Sequence, residues 1–297
     1  MREYVVRLSS LTVKNIKNVK KGTIFMPLAK ERKLKLGGAE ILGIYGQNGS
    51  GKTAIVDTLF FLQRIMIGKE LDQNLIDYID IDSSDAKVNA EFKIFGPNIL
   101  FEVGYYINLI KQNGEVKINR EYLNCAINKD GIRTNKNIFI DYKYNEMECI
   151  FKPQKRLDEV VGKNQETKMD LIVARKIAEK SNCSYIFGES SREILCKEYN
   201  NDFKSYGIVI RELFDFALKD LFVIRNTHSG MITANFLLPM AFRVESDRIG
   251  MKGDFAIPLM KPAVLDAEKK ELLHTIVEQI NTVLCTIIPG MRIEDKD

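Results

Sequence analysis

Gly46-Gln47-Asn48-Gly49-Ser50-Gly51-Lys52-Thr53 places its glycines, lysine and threonine at the spacing G-x-x-x-x-G-K-[ST], a phosphate-cradling loop. Each residue type has a physical job. Gly46, Gly49 and Gly51 allow backbone turns that a side chain would block. The N–H groups of Gln47, Asn48, Gly49, Ser50 and Gly51, with those of the first helical turn through Ala54, can then converge on one anion. Lys52 adds a point charge for the β- and γ-phosphates and is the candidate catalytic residue. Thr53 offers a hydroxyl to Mg²⁺, which bridges the same phosphates. The fixed positions co-occur by accident in roughly one per cent of chains this long, so the flanking elements must decide.

Those elements read as strand, loop, helix. Glu40-Ile41-Leu42-Gly43-Ile44-Tyr45 is a short apolar run with the character of a buried strand. Ala54 to Met66 carries Ile55, Leu59, Leu62 and Met66 at helical spacing. This order predicts a bound nucleotide.

The 297 residues suffice for one or two domains with a full core. Forty-four basic and 40 acidic side chains leave a net charge of +4, too little to argue for nucleic acid by itself. Cysteines 125, 149, 183, 196 and 285 form no C-x-x-C and read as free thiols in a reducing compartment. The two histidines, His228 and His274, make a histidine-rich metal site unexpected. Met1 to Ser10 has no signal-peptide character, and no apolar run approaches the roughly 18 residues of a membrane helix. The expectation is a cytoplasmic protein without membrane contact.

A β-hairpin precedes the glycine loop: Tyr4 to Lys14, a turn through Lys14 to Gly22, then Thr23 to Met26. Pro27 to Gly38 reads as a basic loop. Gly68 to Asp85 gathers Glu70, Asp72, Asp77, Asp80, Asp82 and Asp85; a solvated loop is the expectation and a metal cluster the alternative. An antiparallel meander with one polar face follows: Val88 to Ile94, Ile99 to Leu109, Val116 to Tyr122 (Val116, Ile118, Arg120 and Tyr122 on one alternation), Ile138 to Tyr142, and Met147 to Phe151. Helices are expected over Asp170–Lys180, Ser190–Tyr199 and Ser205–Lys219, strands over Leu221–Arg225 and Met231–Val244, and a further helix over Asp266–Leu284. The predicted fold class is α/β in three parts: 1–154, glycine loop and antiparallel sheet; 155–260, a mainly helical arm or lid; 261–297, a return to the first part.

Leu11-Thr12-Val13-Lys14-Asn15-Ile16-Lys17-Asn18, followed by Ile44-Tyr45-Gly46 through Thr53, resembles the N-terminal lobe of ABC-type ATPases of the RecF, SMC and OLD group. More narrowly it is similar to AAA-annotated ATP-binding proteins of bacterial phage-defence and abortive-infection loci. The specific motif covers residues 8–64; beyond 85 the likeness is one of layout. The resemblance implies ATP and Mg²⁺ bound between two heads of a dimer, the glycine loop of one facing a signature loop of the other, with DNA or an effector protein sensing hydrolysis. It also implies that Lys14 or Lys17 approaches the nucleotide.

Departures from the family are equally specific. It requires an apolar strand ending in Asp-Glu. Leu157-Asp158-Glu159 follows basic residues, Ile138-Phe139-Ile140-Asp141 ends in Tyr142, and Val264-Leu265-Asp266 precedes a helix and reads as its N-cap. No signature loop is found; Ser229-Gly230 has no helix behind it. Gln112, Gln154 and Gln165 compete for the family's glutamine. The chain therefore reads as the front portion of a longer ATPase, needing a C-terminal half or dimerisation to hydrolyse ATP. The competing reading is an assembly module that uses nucleotide as a structural ligand and recruits an effector such as a nuclease. Lys14, Lys17, Lys20, Lys21, Lys30, Arg32, Lys33 and Lys35 give the N-terminal region a basic bias, open to either a DNA track or a solvated surface.

Overall fold

Strand pairing in this chain begins with the alternation of Leu11 and Val13, whose side chains are fully buried on one face of β1 (Val5–Ile16). In the computed structural model β1 pairs antiparallel with β2 (Val19–Phe25) on one side and β3 (Asp85–Gly96) on the other. The description covers residues 4–31, 41–71, 73–144, 165–196, 204–221 and 223. The chain divides into two units, Met1–Val223 and Ile224–Asp297, and the described residues all belong to the first.

β4 (Ile99–Gln112) and β5 (Glu115–Lys129) continue the meander; β5 then pairs with both β6 (Ile132–Arg133) and β7 (Asn137–Lys143). The result is a seven-stranded antiparallel sheet ordered β2-β1-β3-β4-β5-β6, with β7 also on β5. Asn98, Asn113 and Asp130 take left-handed backbone at the hairpin turns, which asparagine and aspartate tolerate better than most residues. The fold is mixed α/β, as the sequence predicts.

One face of the sheet is apolar. Leu11, Ala90, Tyr105, Leu123 and Ile140 form one cross-strand row, all buried. Helix α1 (Lys52–Met66) contributes Phe61, Leu62, Ile65 and Met66 to the same core. Burying each such side chain is worth about 1.5–3 kcal/mol. Gln63 on α1 donates to the carbonyls of Ala217 (3.0 Å) and Leu221 (2.5 Å). It thereby ties α1 to the π-helical turn Phe216–Asp220 that ends α4 (Lys204–Asp215).

The next core row is Val13, Val88, Ile107, Glu121 and Tyr142. A carboxylate stands in it because of a β-bulge. Asn108 pairs with Arg120 but Leu109 pairs with Ile118, so Asn119 is an extra residue. One inserted residue reverses which side chains face inward. This corrects the expected alternation: Val116 and Ile118 are buried, but beyond the bulge Glu121 and Leu123 take the inner face and Arg120 and Tyr122 the outer one. Arg120 there forms a two-armed ion pair with buried Asp141, both contacts 2.8 Å. Asp141, at the end of the run Ile138-Phe139-Ile140-Asp141, is thereby a sheet residue held by an arginine.

Glu121 is completely buried and fully partnered. It accepts from Tyr105 Oη (2.7 Å), Ser184 Oγ (2.9 Å), the amide of Ile186 (3.0 Å) and the amide of Tyr185. The last three belong to the link between α2 (Gln165–Ser181) and α3 (Glu189–Leu195). Those amides need acceptors once Tyr185, Ile186 and Phe187 are buried. Burial pushes the Glu121 carboxyl above its ordinary range, against the pull of its four donors.

The helices predicted over Asp170–Lys180, Ser190–Tyr199 and Ser205–Lys219 correspond to α2, α3 and α4 with its π turn. Leu221 and Val223 are not in a strand. The expectations for Met147–Phe151, Met231–Val244 and Asp266–Leu284, the sites Asp158, Glu159, Gln154, Ser229 and Asp266, and the boundaries at 154 and 260 lie outside the described residues.

Glu121→Ala strands four buried donors. Each orphaned donor costs about 1–3 kcal/mol, so equilibrium urea unfolding of the intact chain is expected to show a loss of at least about 3 kcal/mol. Glu121→Gln, which keeps one carbonyl for the two amides, costs less. An alanine variant within about 0.5 kcal/mol of wild type, the range of an ordinary surface change, contradicts this assignment.

Candidate functional site

Helix α1 begins without a side-chain cap. Its N-cap is Gly51, which is left-handed (φ 91°) and offers no oxygen to the first amides, and its first turn has no acidic residue. An α-helix leaves its first four N–H groups without acceptors, and they carry about half a positive charge. Most helices satisfy these groups with Ser, Thr, Asp or Asn at the cap. Here they face a cleft of about 160 Å³ lined by Lys17, Asn18, Asn48, Gly49, Lys52 and Thr53, among others.

Two glycines shape the rim. Gly49 is left-handed (φ 82°) and faces open space. A Cβ on Gly51 would lie 2.3 Å from Cγ2 of Val19, so the site excludes a side chain by both backbone and contact. Lys52 turns its ammonium back over the loop, donating to the carbonyls of Gly46 (2.6 Å) and Gln47 (2.7 Å). An ammonium has three donors, so this anchoring leaves one for a ligand. Thr53 is exposed on the first turn, and Ala54 begins the buried side of α1.

The β1–β2 turn completes the cleft. Lys17 and Asn18 form a two-residue connection between Ile16 and Val19, with Lys17 in the left-handed region (φ 50°). That is rare for a lysine. It is held by its amide on the Tyr78 carbonyl (2.7 Å), by its ammonium 4.9 Å from the Tyr78 ring centre, and by an ion pair with buried Asp57 of α1. Asn18 donates to the Gly49 carbonyl, so the hairpin turn clamps the glycine loop directly. The sequence resemblance named Lys14 and Lys17. The structure brings Lys17 to the cleft; Lys14, exposed on β1, lies opposite Lys21 and Lys87 and does not line it. Asn18 was not singled out from the sequence, although its place in the turn of the first hairpin was the available signal.

The strand expected at residues 40–45 is overturned over its described part. Residues 41–45 have no strand pairing, Ile41 is 78% exposed and Tyr45 94%. A strand exists only where its N–H and C=O groups find a neighbouring strand. The sheet runs from β2 to β6 without this run. Gly43 lets the Tyr45 ring fold back on the chain: a Cβ there would meet it at 2.7 Å.

Asp80 and Asp85 of the acidic stretch are taken up by local partners. Lys20 pairs with Asp80 (2.7 Å) and holds that carboxyl below its usual range. Asp85 meets Lys87 (3.2 Å) and Asn108 (3.1 Å). Among the described residues no three side chains of metal-binding type come together. Gln112 ends β4 with a buried side-chain oxygen lacking a hydrogen bond, and Gln165 opens α2. Neither lines the cleft. Cys125, Cys183 and Cys196 are free thiols; burial raises the first to about 12 and the others to about 11, which disfavours their thiolate forms. No described helix is long and apolar enough to cross a membrane.

No protein-family model and no curated protein sequence matches the chain. Among solved structures it is similar to the recombination mediator protein RecF with ATP, at 15% identity and a TM-score of 0.24. The match covers 96% of this chain and 59% of that one. So slight a likeness assigns neither ligand nor mechanism.

Gly51→Ala is expected to destabilise the loop and to abolish binding of inorganic tripolyphosphate measured by calorimetry. Gly51→Ala with Val19→Ala removes the clash but keeps the left-handed alanine, whose cost is about 1–2 kcal/mol. It should recover part of the stability. A single variant that binds as wild type does contradicts the cleft geometry.

Proposed function

We propose that the cleft at the start of α1 binds the triphosphate of ATP, and that the chain is the nucleotide-binding part of a RecF/SMC-like ATPase head. The observation that supports this most is the uncapped, acid-free first turn of α1 beneath the Lys52 ammonium. A cluster of amides and two lysines, with no carboxylate among the described residues lining the cleft, selects an anion. Its volume, about 160 Å³, is below the roughly 300 Å³ of a small drug-sized pocket. It suits a phosphate tail, with base and ribose lying across the surface outside.

In this reading Gln47 to Ala54 supply main-chain donors, Lys52 neutralises the charge that develops between the β- and γ-phosphates, and Asn18 holds Gly49 in place. Thr53 would hold Mg²⁺, which when bound would offset the charge of the phosphates. No further ligand-type cluster stands among the described residues. Phosphoryl transfer depends on several positioned charges, and this chain contributes the loop's share. Efficient hydrolysis then requires an acidic strand end and a signature loop from elsewhere, by head-to-head pairing or from further sequence. DNA, or an effector in phage defence, is the partner class this reading implies.

A second reading draws on the exposure of Ile41, Ile44 and Tyr45. An apolar, β-branched run beside the loop suits strand addition by another chain, making the protein an assembly module with nucleotide as structural ligand.

Lys52→Ala is expected to weaken MgATP binding by about 10–100-fold, the equivalent of one charge-assisted hydrogen bond, with thermal stability retained. Wild-type turnover should stay below about 1 s⁻¹, the low end of ordinary enzymes. Unchanged affinity in the variant, or faster turnover of the isolated chain, contradicts the proposal. In the complete biological system, loss of output in the variant supports the ATPase reading; retained output with lost binding supports the assembly reading.

A further inference from the structure

Helix α2 buries one face and leaves the opposite one apolar. Leu171, Ala174 and Ala178 enter the core. Met169, Val173 and Ile177, at i, i+4 and i+8, stand 63%, 53% and 47% exposed, with Ile172 beside them. Three large apolar side chains in one row on a surface helix are uncommon unless something covers them. A groove of about 300 Å³ between α2 and α3 borders the row, lined in part by Val173 and Ile177.

The charges around this row say what covers it. At 100° per residue, Glu166 and Lys180 lie within about 20° of Val173, and Asp170 and Lys176 flank it at about 60°. All four are exposed. The acidic pair occupies the N-terminal half of the face and the basic pair the C-terminal half, with Val173 at the midpoint. Two copies of this face laid antiparallel set each acidic half against the other's basic half. Laid parallel, like meets like. The pattern is thus self-complementary in one orientation only, which is the requirement of a two-fold symmetric contact.

We propose that the exposed face of α2 is a homotypic docking surface on which two copies of this chain pair through antiparallel α2 helices, with Val173 at the two-fold axis. The contact is independent of nucleotide and of the cleft at α1. One pair of 17-residue helices covers less than the roughly 1,200 Å² of a stable interface. The contact alone is weak; it becomes decisive when another interaction brings two chains together.

The test uses the full chain without nucleotide, in the Lys52→Ala background so that nucleotide-driven pairing cannot contribute, by sedimentation equilibrium at low salt. Glu166→Lys with Asp170→Lys makes the face wholly basic; Lys176→Glu with Lys180→Glu makes it wholly acidic. The expected result is that each variant alone self-associates at least tenfold more weakly than the parent, whereas their equimolar mixture associates at least as tightly. Circular dichroism checks that α2 remains folded. Separately, Val173→Cys should form an oxidative cross-link above the level given by the native cysteines, and Met169→Cys, with its copies on opposite sides of the axis, should not. A parent that stays monomeric at millimolar concentration overturns the proposal. So do association untouched by the charge changes, which would place the contact on another surface, and cross-linking through residue 169 instead of 173, which would mean a different register.

Discussion

The start of α1 is a helix end that its own sequence leaves unsatisfied. Gly51 supplies no oxygen and the first turn no carboxylate, so several amides and the positive end of the helix dipole face solvent. Leaving such groups open costs stability that a serine or aspartate cap, worth about 1 kcal/mol, would return. The rest of the described unit can be read as the apparatus that holds this open end still. Phe61, Leu62, Ile65 and Met66 fix the far half of α1 in the core, and Gln63 fastens it to the end of α4.

The near half is held from the other side. The β1–β2 turn places Asn18 on the Gly49 carbonyl and Val19 against Gly51, and engages Asp57 through Lys17. A hairpin ahead of the glycine loop thus has a mechanical role: it is the wall against which the loop closes. The ion pair puts a cation at the cleft mouth without leaving it mobile. The left-handed conformation of Lys17 is the local strain this arrangement requires, offset by its amide bond to Tyr78 and its contact with the ring.

Much of this was legible from residue types. Loop and helix followed from glycine spacing and a 3.6-residue period, and the β1–β2, β3–β4 and β4–β5 hairpins from apolar runs separated by short polar turns. What was not legible depends on partners distant in sequence. Ile41 to Tyr45 has strand composition, but composition cannot say whether a neighbouring strand exists. Arg120 and Tyr122 continue an apolar alternation in sequence, yet one extra residue at Asn119 turns them outward and brings Glu121 in. Glu121 becomes intelligible only once the 184–187 link, over 60 residues on, is seen to bring its amides there. Asp141 ends an apolar run that departs from the acidic pair the family requires, and its partner Arg120, 21 residues earlier, is visible only in the paired strands.

The central claim is that main-chain amides at the head of α1 grip a polyphosphate. Amide hydrogen exchange read residue by residue, with and without saturating inorganic tripolyphosphate, tests it without relying on nucleotide base or hydrolysis. The account predicts slowed exchange concentrated at residues 49–54, lost in Lys52→Ala. Binding accompanied by unchanged exchange at those amides, with protection elsewhere on the chain, would contradict it.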